Sequence, residues 1–308
     1  ARPGVWDGKE RLKDMDIDGV DAEIIFPPQR TMGHWLGNPD PELVKAGVDA
    51  YNRFHFEEFS VDRERQFPMY QIPNLGTDVA VEYLSKAAEA GAKAPVISSW
   101  PTGEDNISPD DDSFWAACVE RGMPVNIHIR LIGRAAGVKQ FESGRSVTTD
   151  VKKGAPNANQ RAVGGMAGVF GATPPIIGQM IYTGVFDRFP DLQVVLTETG
   201  VGWIPHFIEQ LDDRYWRNRT WGEINIKEPP SFYWNRNFAA TFMVDFNGVA
   251  QRHHVGVKNM MWSTDYPHHG NDWPYSRMRI NEMMTGVGAD ERYDILAGNA
   301  VRLFKLDS

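Results

Sequence analysis

Three hydrophobic runs end in ionisable side chains. PVNIHIR (124–130) ends with His128 and Arg130, LQVVLTETG (192–200) carries Glu198, and KNMMWSTDYP (258–267) carries Asp265. Each run reads as a buried strand, and a charge at the edge of a core is costly unless it is paired or bound to metal. A single such residue can cap a helix or bond a backbone carbonyl. Three at equivalent strand ends point to shared chemistry. Imidazole and carboxylate together suit one divalent cation, Zn²⁺ first and Mn²⁺ second. Such a cation lowers the pKa of a bound water to about 7, and a neighbouring carboxylate can take the proton. The expectation is that His128 and Asp265 hold or flank the metal and that Asp265 or Glu198 serves as base.

Other residues extend this constellation. His268 follows the turn forced by Pro267 and can lean over the site as a catalytic partner or substrate contact, whereas His269 reads as a loop histidine. Strand side chains alternate with period two, so Asn126, His128 and Arg130 share a face. A guanidinium fork suits a substrate carboxylate, which makes Arg130 the substrate-binding candidate. His34, in TMGHWLGNPD, reads as a histidine in a polar turn. Lys93 precedes its strand and so lies at the opposite end, which leaves no lysine to bridge two metals. Cys118 shares a helical face with Phe114 and Ala117 and reads as core. As the only cysteine it makes neither an internal disulfide nor a thiolate zinc site.

Positioning these residues requires strands. Strand-like runs lie at 21–27, 66–73, 94–99, 124–129, 192–198, 237–244 and 258–265. Most are separated by helical patterns, such as Ala80, Tyr83, Leu84 and Ala87, or Ile204, Phe207, Ile208 and Leu211. Alternating strands and helices predict a parallel sheet covered on both sides. No G-x-G-x-x-G follows a strand, so a TIM-like (β/α)8 barrel is preferred over an open dinucleotide-binding sheet. Catalytic groups in such barrels sit at the carboxyl ends of the strands. Residues 1–308 read as one domain, with long connections at 131–174 and 217–235 expected to be lids or subunit contacts.

Composition is consistent with this. Of 308 residues, 42% are hydrophobic and 24% charged, as a globular chain with a large core requires. The net charge of −9 argues against nucleic acid or an anionic membrane as partner and leaves small molecules open. No apolar run approaches the length of a membrane-spanning helix, and ARPGVWDGKERLKDMD has no apolar signal segment, so a cytoplasmic location is expected.

The stretches RLKDMDIDGVDAEIIFP, PVNIHI, LQVVLTETGVGWIPHFIEQLD, MMWSTDYPH and ILAGNAVRLFKL, in this order, resemble the amidohydrolase superfamily. The similarity is to the branch typified by aminocarboxymuconate-semialdehyde decarboxylase. The resemblance implies a metal-dependent (β/α)8 barrel acting on small organic acids or amides, in a dimer or higher homo-oligomer. It matches His128 to the metal-binding histidine after the fifth strand and Asp265 to the aspartate after the eighth. Two features depart from the family pattern. The usual first strand, with an acid-x-His or His-x-His pair, has no counterpart here, so the barrel is expected either to lack that strand in this chain or to close differently. The decarboxylases usually place a histidine where Glu198 stands. The leading expectation is therefore a metal-dependent hydrolase, with a non-oxidative decarboxylase of an aromatic or dienoic acid as the alternative. A metal-free binding or scaffold barrel is the third reading.

Overall fold

All seven hydrophobic runs form strands in the computed structural model, which describes residues 2–142 and 171–307. They are β1 (Glu23–Ile25), β2 (Gln66–Pro68) with β3 (Tyr70–Gln71), β4 (Pro95–Ile97), β5 (Val125–His128), β6 (Val194–Thr197), β7 (Phe238–Phe242) and β8 (Met260–Trp262). Every ladder is parallel, β1 with β2 and then β3 through β8 in chain order. The second run is divided at Met69. The Met69 N–H donates to Ile25 O at 2.9 Å, while the next N–H, of Tyr70, turns to Ala94 O at 3.2 Å. One extended segment thus passes from partner β1 to partner β4. Among the described residues no ladder joins β8 to β1, so seven staves curve round without backbone closure.

Period-two alternation sorts the strand side chains. Phe67, Met69, Val96, Val195, Ala239 and Met261 pack together inside the barrel, where Phe304 of the last helix, Asn299–Phe304, joins them. Ile97, Val125, Ile127, Val194, Leu196, Ala240 and Phe242 point outward into the larger core beneath the helices. Fully burying such a side chain contributes roughly 1.5–3 kcal/mol, which is why these runs are apolar on both faces. Two residues further along, the inward positions become polar: Ser98, His128, Thr197, Thr241 and Ser263. That change marks the floor of the mouth.

The helices that matter for the mouth are α1 (Gly8–Asp18), α2 (Gln29–Leu36), α3 (Pro41–Arg53), α4 (Thr77–Glu89), α5 (Asp112–Arg121) and α6 (Arg134–Glu142). Asp7 caps α1 by accepting from Lys9 N and Glu10 N, and Gly19 ends it at φ 75°, a left-handed turn that glycine enters without a side-chain clash. Ser108 and Asp111 form a reciprocal capping box before α5. At the rim, Arg134 of α6 donates to Leu36 O at 2.8 Å and Asn38 O at 2.7 Å, tying α6 to the end of α2.

Of the long connections, residues 143–170 of the 131–174 segment lie outside the described residues. The 217–235 segment joins the far end of helix Ile204–Asn218 to helix Pro230–Asn237, which leads directly into β7. It therefore lies at the end of the barrel opposite the mouth, and the expected lid role does not fit its position. Tyr233 and Trp234 are buried there, whereas Trp221 is 76% exposed. Among the described residues no helix is long and apolar enough to cross a membrane.

Candidate metal and catalytic centre

The residues that follow β5, β6 and β8 share an unusual backbone. Ile129, Glu198 and Asp265 have φ of 65°, 62° and 55°. The left-handed region costs a non-glycine residue roughly 1–2 kcal/mol, so specific contacts must hold each turn. Ile129 N–H donates to Thr197 O at 2.9 Å, and Ile129 O accepts from Thr173 Oγ1 at 3.1 Å. Glu198 N–H donates to Thr241 Oγ1 at 2.8 Å. Asp265 O accepts from His268 N–H at 2.8 Å. Beyond Glu198, the Asp245 carboxylate accepts from Val201 N, Gly202 N and Gly248 N, each at 2.7 Å. A Cβ on Gly202 would lie 2.6 Å from Asp245 Oδ1, so this anchor requires a glycine.

These turns bring four ionisable groups together. His128 Nε2 lies 2.8 Å from Glu198 Oε2, and His268 Nδ1 lies 2.8 Å from Asp265 Oδ2. Ligand atoms of Glu198, Asp265 and His268 lie within 4.8 Å of one another. The side chains of His128, Glu198 and Asp265 are largely buried, whereas that of His268 is 45% exposed. The Phe26 ring, following β1, packs 5.6 Å from the His128 ring at a tilt of 51°. Gln29 donates from Nε2 to His128 O. Burial and then the neighbouring Glu198 carboxylate push the Asp265 pKa up to about 6, against the opposing pull of His268 and His128.

The donor set fits a divalent cation. Two carboxylates and two imidazoles converge, and among the described residues no lysine or arginine pairs with Glu198 or Asp265. Carboxylate and imidazole are ordinary ligands of Zn²⁺ and Mn²⁺. The ligand atoms of Glu198, Asp265 and His268 are close enough to share such an ion, and His128 reaches that set through Glu198.

The expected pair is connected through a third residue. His128 meets Glu198, and Glu198 shares the cluster with Asp265. His268 does lean over the mouth, against Asp265, and its ring centroid lies 4.2 Å from that of His269. Arg130 differs from expectation. The left-handed Ile129 breaks the alternation that would put Arg130 on the His128 face, and Arg130 is exposed beyond the strand, with no ion pair among the described residues. His34 is exposed on α2. The motif reading missed Phe26, Thr197 and Thr241. Each stands two positions beyond an inward apolar residue (Ile24, Val195 and Ala239), so strand periodicity carried the signal.

The chain is similar to known proteins over nearly its whole length. A family model described as Amidohydrolase matches residues 1–306. The decarboxylase orsB of Emericella nidulans is 23% identical over 286 residues, covering 88% of this chain and 78% of that protein. The 2-amino-3-carboxymuconate-6-semialdehyde decarboxylase of Dictyostelium discoideum is 21% identical over 319 residues, covering 98% of this chain and 77% of that protein. Among solved structures, a dihydroxybenzoic acid decarboxylase from Polaromonas sp. JS666, with bound manganese and the inhibitor 2-nitroresorcinol, superposes with a TM-score of 0.73. It is 18% identical, and the match covers 97% of this chain and 86% of that one.

Proposed function

The chain belongs to the amidohydrolase family of enzymes, and from that premise we propose that it is a metal-dependent, non-oxidative decarboxylase of a small aromatic acid. The observation that carries the reading is the meeting of His128, Glu198, Asp265 and His268 at one barrel mouth without a lysine or arginine partner for either carboxylate among the described residues. The relatives give the direction of the chemistry, because those named above are decarboxylases. This favours decarboxylation over the hydrolysis expected from the residues alone. The metal-free scaffold reading has no comparable support.

His128, Glu198 and Asp265 would hold a divalent cation, which would supply charge neutralisation for the substrate carboxylate. Manganese is the first ion to test, because the Polaromonas structure contains it. The protein's own groups carry the proton. Asp265 Oδ2 delivers a proton to the ring carbon that bears the carboxylate. The carbon–carbon bond then breaks, its electron pair restores the ring, and CO2 leaves. His268 Nδ1, 2.8 Å from that oxygen and on a half-exposed ring, returns a proton from solvent. Phe26 forms an apolar wall against which an aromatic ring can pack.

The test is incubation with Mn²⁺ and a panel of dihydroxybenzoic acids, following CO2 release and the shift in ultraviolet absorbance from dihydroxybenzoate to dihydroxybenzene, with amide and ester hydrolysis assayed in parallel. CO2 release that stops on chelation and returns with Mn²⁺ is the expected result. Hydrolysis without CO2 release returns the reaction to the hydrolytic reading, and full turnover after exhaustive chelation overturns both.

A further inference from the structure

The segment after Asp265 is held by α1 rather than by its own strand. Arg11 of α1 is 5% exposed and forms a fork onto Glu23 of β1, 11% exposed, with nitrogen–oxygen distances of 2.7–2.9 Å. The same Arg11 Nη2 donates to the backbone carbonyl of Tyr266 at 2.9 Å, and the guanidinium lies 4.5 Å from the centre of the Tyr266 ring. Tyr266 is the residue after Asp265. Four more hydrogen bonds join α1 to the same segment. Tyr266 OH donates to Asp14 Oδ2 at 2.5 Å, Trp273 Nε1 donates to Asp14 O at 2.9 Å, and Asp18 accepts from Ser276 N at 3.0 Å and Ser276 Oγ at 2.6 Å.

A guanidinium presents donors in a rigid planar fork, so one arginine can serve two acceptors at a fixed angle. Here the acceptors belong to β1 and to the end of β8, two staves with no ladder between them among the described residues. Asp265 itself is left-handed, a conformation uncommon outside glycine that aspartate tolerates better than most residues. We propose that Arg11, locked by Glu23, is a positioning residue that fixes the Asp265–His268 turn, and through it the cation-binding geometry, by gripping the Tyr266 carbonyl and ring. The part concerning the cation rests on the function proposed above. The grip on the turn does not.

Two variants separate this role from a general contribution to stability. Arg11→Lys keeps a positive charge for Glu23 but loses the fork. The double variant Arg11→Met/Glu23→Leu removes the buried pair as a unit, a change that apolar side chains of similar size commonly tolerate. The measurements are Mn²⁺ affinity by calorimetric titration and hydrogen–deuterium exchange of residues 263–276. In variants that melt within about 3 °C of the parent, Mn²⁺ affinity is expected to fall about tenfold or more. Amide exchange at 265–268 should rise while β4 to β6 stay protected. A variant that melts like the parent and retains its Mn²⁺ affinity and its exchange pattern overturns the proposal. If the parent protein binds no Mn²⁺, the functional reading fails, and exchange at 265–268 alone decides the role of Arg11.

Discussion

Thr241→Val tests how the Glu198 turn is held. Thr241 is 7% exposed, and its Oγ1 accepts the Glu198 N–H at 2.8 Å. Valine keeps the shape and removes the acceptor, so the N–H is left without its partner. An unsatisfied buried donor costs about 1–3 kcal/mol. The left-handed backbone of Glu198 stores roughly 1–2 kcal/mol that this bond helps to offset, so the turn can relax and recover part of the loss. The net destabilisation is therefore about 0.5–2 kcal/mol, or a fall in melting temperature of about 1–3 °C for a domain of this size. The relaxed turn carries Glu198 away from His128 and Asp265, and Mn²⁺ affinity should drop about 10–100-fold, as it does when ligand-orienting partners are lost. Thr241→Ser, which retains the oxygen, should stay close to the parent. Thermal melts and Mn²⁺ titration of the three proteins decide the matter. If Thr241→Val melts and binds as the parent does, or Thr241→Ser is as weak as the valine variant, the hydrogen bond does not hold the turn.

Glu198→Gln and Asp265→Asn should each keep the fold and lower decarboxylation about 100-fold or more, with Mn²⁺ binding weakened in both, as measured by titration. Arg130→Gln should leave both KM and kcat within about twofold, because the left-handed Ile129 turns Arg130 off the His128 face; a roughly tenfold rise in KM with kcat unchanged would return the guanidinium to the substrate site. His55, buried among Tyr51, Phe56 and Phe59, has its pKa pushed down to about 3 by burial. Its unfolded form takes up a proton near pH 6.5 and its folded form only near 3, so its contribution to stability is complete above pH 6.5 and declines as pH falls through this window, by at most about 1.4 kcal/mol per pH unit. Denaturant unfolding from pH 7 to 4 should show a shallower decline in His55→Phe than in the parent.

The sequence determined where the strands lie and that most of their residues are buried, because a stave covered on both faces is mostly apolar on both. It also marked His128, Glu198 and Asp265, since an ionisable group ending such a run stands out against the core. It could not show that Glu198 lies between the other two, or that Ile129 turns left-handed and carries Arg130 off the shared face. Local alternation assumes an extended backbone, and the strain that breaks it is held by Thr197, Thr173 and Thr241 from elsewhere in the chain. The grip of Arg11 on Tyr266 spans 255 positions. No local pattern encodes such a contact; it exists only once the staves have curved round and brought the two ends of the sheet to the same helix.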